Sequence, residues 1–378
     1  GGYDAAILRK AAGASALMAA IRRYGHFAVP IDPLGSPPIG AAELTPEYHG
    51  VTEADLADVP GEALGETGGT AADAIAKRRA WYQGGLAYEF VHVSNEHERL
   101  WIRKQIETGS FMAPLSADEK KALLRRLSEV EGLERFLGLA FVNAKRFSIE
   151  GVDALVPVMD EALARAARGG VRTLVLGMGH RGRLNVLRHL LDKPADELFA
   201  EFAGERVSPD PARSGDVKYH LGFRSRRRVD DVEVTLELIP NPSHLELVDP
   251  VMMGVARALE RDPEDPQQRD EGRVLPICVH GDAAFPGEGV VAETLNLALL
   301  RGYRVGGTLH IITNNQLGFT TDPIDGRSTH YASDLAKGFE VPIVHVNADD
   351  IEACIQATRL AVMDRQQFHK DFLIDLVG

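Results

Sequence analysis

The second half of the chain constrains the fold most, because from about Thr173 short apolar segments alternate with segments of helical pattern. This alternation is typical of a mostly parallel sheet with helices packed on its faces. We therefore predict an α/β fold with a doubly wound, mostly parallel sheet. The predicted strands are Thr173–Leu176, Val232–Ile239, Val274–Val279, Leu309–Thr313, Ile343–Val346 and Phe372–Val377. The predicted helices are Leu184–Leu191, His244–Glu260, Val290–Leu300 and Asp350–Arg365.

The first part of the chain has a different pattern, and we predict a mainly helical region over residues 1–150 followed by an α/β domain over residues 151–378. Leu8 to Tyr24 has the periodicity of an amphipathic helix, and a Pro/Gly connector (IDPLGSPPIG) comes after it. Another helix is predicted to begin at Ser116, where Ser116 and Glu119 have capping-box spacing. The chain closes on an apolar strand pattern, and functional loops often follow such strands, so we expect more protein beyond Gly378.

Charge and composition argue against two classes of partner. A net charge of −13 does not suit a nucleic-acid partner, whose binding sites need clustered cations. The one basic cluster, Arg224 to Arg228, precedes two aspartates and is predicted to be a solvated loop. No apolar run is long enough to span a membrane. Two cysteines make no disulfide framework, and Cys278 is predicted to be a small core residue. This cysteine content fits a reducing compartment, either a bacterial cytoplasm or a mitochondrial matrix.

An acid and an amide follow two of the predicted strands. Asp282 comes after the strand ending at Val279, and Asn315 comes after the strand ending at Thr313. Magnesium-type ions prefer oxygen ligands and usually bind through one or two carboxylates together with substrate phosphates. A carboxylate, a side-chain amide and a backbone carbonyl would leave places for two phosphate oxygens and a water. This unit predicts a diphosphate held on a divalent metal ion.

Gly177 to Gly182 matches the dinucleotide-binding pattern G-x-G-x-x-G between a predicted strand and a predicted helix. That pattern also requires a second strand with an acidic residue about 20 positions further on. The corresponding stretch here, KPADELFAEFAGE, has a helical pattern instead. A nicotinamide-dependent dehydrogenase is therefore an alternative that lacks one of its required features.

The side chains within the same turn suggest anion binding. Arg181 can hold a phosphate with two hydrogen bonds, close to the free N–H groups of the next helix. His180 can bind a carboxylate or act as an acid or base near neutral pH. A glycine turn with two solvent-facing cations is the alternative. His180, His220 and His244 all lie at predicted strand ends, which favours a shared site.

Three more polar segments lie in this half of the chain. Residues Ser214 to His220 collect a hydroxyl, an acid, a base, a phenol and an imidazole. Asn241 to Leu245 closes a predicted strand, and Ser243 there is predicted either to cap the next helix or to contact a ligand. The loop from Thr320 to Thr329 is either a lid or a solvent-exposed connection.

Six sequence blocks occur in one order: KRFSIEG, GMGHRGRLNVL, SGDVKYHLG, NPSHLELVDPV, HGDAAFPGEGVVAETLNL and NNQLGFTT. From about Tyr24 to the C-terminal end, with gaps, the chain resembles one family closely. That family is the thiamine-diphosphate-dependent decarboxylating component of the 2-oxoglutarate dehydrogenase complex. The acid-to-amide segment also resembles the general thiamine diphosphate signature, with Ala283 where glycine is usual.

The resemblance implies roles for particular residues. The implied magnesium ligands are Asp282, the side chain of Asn315 and the carbonyl of Leu317. His180 and His220 are implied to face the 2-oxo acid, to bind its carboxylates and to transfer protons, with Ser243 close by. The implied cofactor contacts are Arg181, Ser243, His244, Leu245, Asp282, Ala283, Ala284, Asn315 and Leu317.

The resemblance also implies an activity and partners. The reaction would be oxidative decarboxylation of 2-oxoglutarate with thiamine diphosphate and magnesium, as in the tricarboxylic acid cycle. The succinyl group would pass to a lipoyl group of a partner acyltransferase. 2-Oxoadipate is the rival substrate, since one methylene group discriminates weakly in many pockets. A catalytically silent scaffold is a further alternative. Four residues count against it: Asp282, Asn315, His180 and His220.

The family needs one more group than these residues supply. Its activating glutamate lies on a separate pyrimidine-binding domain and is normally supplied across a homodimer interface. Nothing in the 378 residues resembles that domain or the C-terminal region of the family. We therefore expect residues 1–378 alone to bind the diphosphate weakly and not to turn over.

Overall fold

A computed structural model describes residues 5–204, 218–262, 264–265 and 268–378. Its strands are β1 (Leu86–Glu89), β2 (Thr173–Met178), β3 (Phe223–Val229), β4 (Val232–Leu238), β5 (Val274–Gly281), β6 (Leu309–Asn314), β7 (Ile343–Asn347) and β8 (Phe372–Val377). They form one sheet in the order β1-β7-β8-β6-β5-β2-β4-β3. The six inner strands run parallel, while β1 and β3 pair antiparallel at the two edges. The predicted mostly parallel sheet is confirmed.

Helices occupy much of the remaining chain. They are α1 (Ala5–Tyr24), α2 (Glu53–Asp58), α3 (Ala71–Tyr82), α4 (Glu96–Thr108), α5 (Ala117–Ala140), α6 (Leu155–Arg168), α7 (Arg183–Asn185), α8 (Ala195–Phe202), α9 (Val248–Leu259), α10 (Ala284–Gly287), α11 (Gly289–Leu297), α12 (Pro323–Gly326), α13 (Asp334–Lys337) and α14 (Ile351–Phe368). Short 3₁₀ segments are Gly25–Ala28, Ala42–Leu44, Glu47–His49, Gly61–Leu64 and Leu245–Leu247, and Val186–Leu190 is a π-helical segment.

The sheet is covered on both faces, as the doubly wound prediction requires. Leu174 and Leu176 of β2 enter a large core that includes side chains of α6 and α14. Val175, which points the other way because side chains alternate along a strand, packs with Met252 of α9. Two hydrophobic layers therefore enclose the sheet.

The predicted solvated loop at Arg224 to Arg228 is wrong, because these residues form most of β3. The side chains of Arg224, Arg226 and Arg228 are exposed, whereas those between them are half-buried. Arg226 also lies 3.2 Å from Glu233 of the neighbouring strand. Arginines on an outer strand oppose edge-to-edge association, so a basic run here is compatible with a strand.

The N-terminal region contributes a strand that we did not predict. Leu86 to Glu89 pairs with β7, so Ala87 faces His345 in the register. All four residues of β1 are buried. A four-residue strand gives little periodicity, and the strand that pairs with it, β7, is far away in the sequence. The boundary at residue 150 remains a prediction.

Local sequence signals set the helix starts in this region. Ser116 accepts a hydrogen bond from the backbone N–H of Glu119, and the Glu119 carboxylate accepts one from the backbone N–H of Ser116. This reciprocal pair is the predicted capping box, and it satisfies N–H groups that a helix start leaves unpaired. The helix predicted at Leu8–Tyr24 is also confirmed, as α1.

The parallel arrangement brings four strand ends to one edge of the sheet. β2 leads into His180, β4 into Asn241, β5 into Asp282 and β6 into Asn315. Ligands of open α/β sheets bind outside the carboxyl ends of the strands. The fold therefore places the predicted site residues at the edge where a ligand is expected.

Candidate functional site

The centre of the site is the pair Asp282 and Asn315, on adjacent parallel strands. Only 3% of Asp282 is exposed. The amide oxygen of Asn315 faces Oδ1 of Asp282 at 3.1 Å, and its amide nitrogen faces Nη2 of Arg181 at 3.2 Å. Two acceptor oxygens at this distance repel each other. Turning the amide over would create two hydrogen bonds instead, from Asn315 to Asp282 and from Arg181 to Asn315.

The spacing of these oxygens fits a shared magnesium ion. Octahedral magnesium holds its ligands at about 2.0–2.1 Å, which puts neighbouring oxygens about 3 Å apart. Asp282 Oδ1 and the Asn315 oxygen have that separation, at 3.1 Å. With an ion between them, the amide orientation that is unfavourable alone becomes the favourable one. The donor set therefore fits the predicted metal.

Because the Asp282 carboxylate is buried, a nearby cation stabilises its charged form. Loss of solvent raises the pKa of Asp282, and Arg327 opposes that rise. Nη1 of Arg327 lies 3.9 Å from Oδ2 of Asp282. A buried carboxylate is costly to keep charged, so a nearby positive charge stabilises it. Arg327 was not among the predicted site residues, because it lies in a polar loop 45 positions after Asp282 in the sequence.

The turn after β6 is held in an unusual backbone conformation. Gln316 and Phe319 have positive φ angles of 57° and 58°. Gly318 and Thr321 exchange backbone hydrogen bonds of 2.9 Å in both directions. Leu317 lies inside this turn, and its role as a carbonyl ligand remains a prediction.

A small cavity opens beside the acid–amide pair. Its volume is about 190 Å³, and its lining includes Asp282, Ala283, Gly318 and Arg327. A Cβ atom at Gly318 would lie 2.8 Å from the Cβ atom of Ala283, so only glycine fits there without movement. Ala284 begins α10 directly after Ala283. The cavity combines a carboxylate, a guanidinium and closely packed small residues.

A second cluster lies at the ends of β2 and β4. The Nε2 atoms of His180 and His220 are 3.0 Å apart. Ser243 Oγ lies 3.4 Å from Nε2 of His220. Phe147, from the KRFSIEG block, packs against the His180 ring with centroids 4.7 Å apart. The structure thus brings together the three residues that the resemblance places around a 2-oxo acid.

The electrostatics of this cluster favour a neutral His180. Burial is the main cause that lowers the pKa of His180, and His220 and Arg183 lower it further. A neutral imidazole can donate from one nitrogen and accept at the other. The two facing Nε2 atoms can therefore share one hydrogen bond, with the tautomers deciding which ring donates.

The helix-cap alternative for Ser243 is wrong. The chain after His244 first forms the 3₁₀ segment Leu245–Leu247, and α9 begins only at Val248 without a side-chain cap. The predicted helix start at His244 was therefore too early. Ser243 is exposed and faces His220 instead.

His244 and Leu245 lie between the two clusters. Nδ1 of His244 is 2.7 Å from Oε2 of Glu288, which comes just after α10. Leu245 packs on the Gly177–Gly182 turn, where a Cβ atom at Gly179 would lie 3.5 Å from Cδ2 of Leu245. These contacts connect the end of β4 to the turns after β2 and β5.

Arg181 lies close to the acid–amide pair, and its role as a diphosphate contact stays a prediction. Besides facing Asn315, its Nη1 donates to the Ser148 carbonyl at 3.0 Å. The arginine is half-buried. The alternative of a solvent-facing cation therefore does not describe Arg181.

Sequence reasoning missed Arg183, which supports the whole edge. It is fully buried and donates to the carbonyls of Met178, Leu221 and Ile239 at 2.8–2.9 Å. One side chain thus ties together the ends of β2 and β4 and the loop that carries His220. A basic residue at the start of a helix that follows a buried strand is the only sequence signal for it.

Several other predictions can be compared with the structure. Ser214 to Val217 lie outside the described residues, whereas His220 is at the site. The KPADELFAEFAGE stretch contains α8 and not an acid-bearing strand, which counts against the dinucleotide pattern. Cys278 is a buried core residue, as predicted, and its thiol lies 3.1 Å from Asp249. Among the described helices, none is long and apolar enough to cross a bilayer.

Comparison with known proteins decides the family. Residues 133–378 match the model of the dehydrogenase E1 component. This chain belongs to the dehydrogenase E1 component family. Three similar proteins are the 2-oxoglutarate dehydrogenase E1 components of Bacillus cereus (strain 03BB102), Bacillus anthracis (strain A0248) and Bacillus mycoides (strain KBAB4). Each is 47% identical over 371 residues, which is 96% of this chain and 39% of the relative.

The matched region of this E1 family member contains every candidate site residue. The family match begins in α5 and continues through the last strand, so it includes the acid–amide pair and both histidines. The chain spans about 39% of the length of the relatives that it matches.

Proposed function

We propose that this chain forms the diphosphate- and metal-binding part of an E1 enzyme that oxidatively decarboxylates 2-oxoglutarate with thiamine diphosphate and magnesium. The observation that carries the proposal is the meeting of the Asp282 carboxylate and the Asn315 side-chain amide, 3.1 Å apart at the carboxyl edge of the sheet. The names of the similar proteins support 2-oxoglutarate as the substrate. 2-Oxoadipate stays the rival, because it differs by one methylene group.

The cofactor-binding residues fall into groups according to whether they would contact magnesium, the diphosphate or the rest of the cofactor. Asp282, the Asn315 side chain and the Leu317 carbonyl would bind magnesium. Arg181 would bind the diphosphate with a charge-assisted hydrogen bond. The remaining cofactor contacts would be Ser243, His244, Leu245, Ala283 and Ala284. Bound thiamine diphosphate would supply the electron sink for decarboxylation.

His180 and His220 would bind the substrate and move protons. A neutral His180 can donate a hydrogen bond to a carboxylate and can also accept a proton, as general acid–base catalysis near neutral pH requires. The neighbouring hydroxyl of Ser243 would orient His220, from which it lies 3.4 Å. Phe147, packed against the His180 ring, would restrict water access on that side.

The proposed partners and compartment follow from the family resemblance. The acyl group would pass to a lipoyl group on an acyltransferase of a multienzyme complex. A homodimer would supply the activating glutamate from a pyrimidine-binding domain. Bacterial relatives and two free cysteines support a bacterial cytoplasm, with a mitochondrial matrix as the alternative.

Turnover by the complete gene product that contains this chain tests the proposed activity. We expect carbon dioxide release from 2-oxoglutarate that needs both thiamine diphosphate and magnesium. Replacing His180 with Ala should lower kcat by about 100-fold or more, a typical effect of losing a general acid–base group. A higher kcat/KM for 2-oxoadipate would contradict the substrate. Full turnover by residues 1–378 alone would contradict the need for a second domain.

A further inference from the structure

A buried line of polar and charged groups runs away from the cation-binding turn. Asn314 precedes Asn315 and donates from Nδ2 to Oδ1 of Asp375 at 3.0 Å. The other carboxylate oxygen of Asp375 lies 2.7 Å from Nδ1 of His345. Nε2 of His345 in turn lies 2.8 Å from Oε1 of Glu89. These three contacts form a continuous path from the turn to β1.

The first member of this line fixes the geometry of the turn. While its amide nitrogen donates to Asp375, the Asn314 side-chain oxygen accepts from the backbone N–H of Gln316 at 3.1 Å. Its backbone carbonyl also accepts from Gly378 at 2.8 Å. Asn314 is therefore held on both sides, and Asn315 lies within the loop that it closes.

His345 lies between two carboxylates of the line. The carboxylates of Glu89 and Asp375 face opposite nitrogens of His345, so the ring donates to both when it carries two protons. Burial alone would lower the pKa of His345, but the hydrogen bonds that the ring donates to both carboxylates outweigh it and raise the pKa to about 9. Lys337 pairs with Glu89 and supplies a second positive charge. Lys337 also lies 2.6 Å from Asp334, so two carboxylates share its charge.

The far end of the line belongs to the N-terminal region. Glu89 lies in β1, and its Oε2 is 3.5 Å from Nε2 of His26. Nδ1 of His26 lies 3.0 Å from the hydroxyl of Tyr331. The Tyr331 ring stacks on His345 with centroids 3.9 Å apart. A separate contact joins Asp32 of the Pro/Gly connector to the Gln316 side chain at 3.0 Å. The N-terminal region therefore contacts the turn directly through Asp32 and is connected to it indirectly through Glu89 and the buried line.

We propose that Glu89 is a positioning residue for the cation-binding turn, acting through His345 and Asp375 on Asn314. The inference rests on the proposed function, because it assigns Glu89 to the magnesium site. Partners that orient metal ligands from behind commonly change affinity by about 10–100-fold when they are removed. Glu89 would exert such an effect from another structural region. The mainly helical N-terminal region would then be needed for cofactor binding as well as for folding.

The test compares two buried glutamates in the complete gene product. Glu89→Gln keeps the size of the side chain and removes its charge. Glu98→Gln is the matched control, since Glu98 is fully buried in the same region and pairs with Lys370 at 2.5 Å, outside the line. The magnesium concentration at half-saturation of thiamine diphosphate binding is measured by calorimetry, and the melting temperature is measured in parallel.

We expect Glu89→Gln to raise the half-saturating magnesium concentration by about tenfold. We expect Glu98→Gln to lower the melting temperature and to change the magnesium requirement by less than about twofold, as for independent sites. If the two variants change the magnesium requirement equally, Glu89 has a structural role only.

A double-mutant cycle tests the path. Asn314→Ala should raise the magnesium requirement, and adding Glu89→Gln to it should add little, because both changes break the same line. Full additivity of the two effects would overturn the path through Asn314.

The outcomes separate this inference from the proposed function. Wild-type binding that does not depend on magnesium would overturn both. Magnesium-dependent wild-type binding that Glu89→Gln leaves unchanged would overturn only the positioning role.

Discussion

At the scale of single residues, the site depends on short side chains in tightly constrained places. Asp282 and Asn315 could be predicted from the sequence because each directly follows an apolar strand. The sequence does not indicate Arg183, Glu288 or Arg327. Each of them contacts a partner that is distant in the sequence and becomes a neighbour only in the folded chain. The side-chain amide of Asn315 faces Asp282 only because the strands β5 and β6 are neighbours.

Gly318 offers a test at this scale. A methyl group at Gly318 would lie 2.8 Å from Ala283 Cβ, so Gly318→Ala must move the turn or the residue that lines the cavity. Overpacking of this kind costs about 1–3 kcal/mol, and we expect thiamine diphosphate affinity to fall by about tenfold or more.

The control for this prediction is Gly326→Ala. Gly326 lines the same cavity, and the nearest atom to its added Cβ would be Thr321 Cγ2 at 3.8 Å, an ordinary contact. The affinity of Gly326→Ala for thiamine diphosphate should stay close to that of the wild type. Equal losses in the two variants, measured by calorimetry, would contradict the steric explanation.

At the scale of elements, the inner strands were predictable and the edge strands were not. β5 and β8 are apolar runs bounded by polar or glycine-rich segments, so the sequence alone indicates them. The sequence does not indicate β3, because its arginines interrupt the apolar pattern that is typical of a strand. These arginines are tolerated because alternate side chains point to solvent. β1 is too short to show periodicity, and its ion pair with His345 depends on pairing across the sheet.

That ion pair predicts how pH affects the contact between β1, β7 and β8. The pKa of His345 is about 9 in the folded chain and 6.5 for an unperturbed histidine, so the folded state binds more protons between these values. The His345 contribution to stability is therefore fully present below pH 6.5 and is lost as pH rises through 9. The slope is at most about 1.4 kcal/mol per pH unit.

Urea unfolding between pH 6.5 and 9 measures this effect. Wild type should lose stability across the window, and His345→Gln should flatten the dependence while lowering stability at pH 6.5. The facing groups are Asp375, Glu89, His26, Lys337 and Tyr331. An unchanged slope in the variant would show that other groups set the pH dependence.

At the scale of the whole molecule, one sheet edge collects residues from distant parts of the chain. The connector at Asp32, β1 and the last residue, Gly378, all contact the turn after β6 or the groups behind it. A doubly wound fold could be inferred from strand–helix alternation. The attachment of the N-terminal region to that edge could not, because it consists of polar contacts between residues hundreds of positions apart.

The most direct test of the account is magnesium-dependent binding of thiamine diphosphate by the complete gene product and its Asp282→Ala variant. Asp322→Ala, on the rim of the same cavity, is the control. At a magnesium concentration that saturates the wild type, we predict that Asp282→Ala lowers the affinity for thiamine diphosphate by at least about 100-fold. We also predict that added magnesium no longer restores this affinity. Asp322→Ala should bind like wild type. Equal affinity of Asp282→Ala and wild type would contradict the assignment of the acid–amide pair as the metal site.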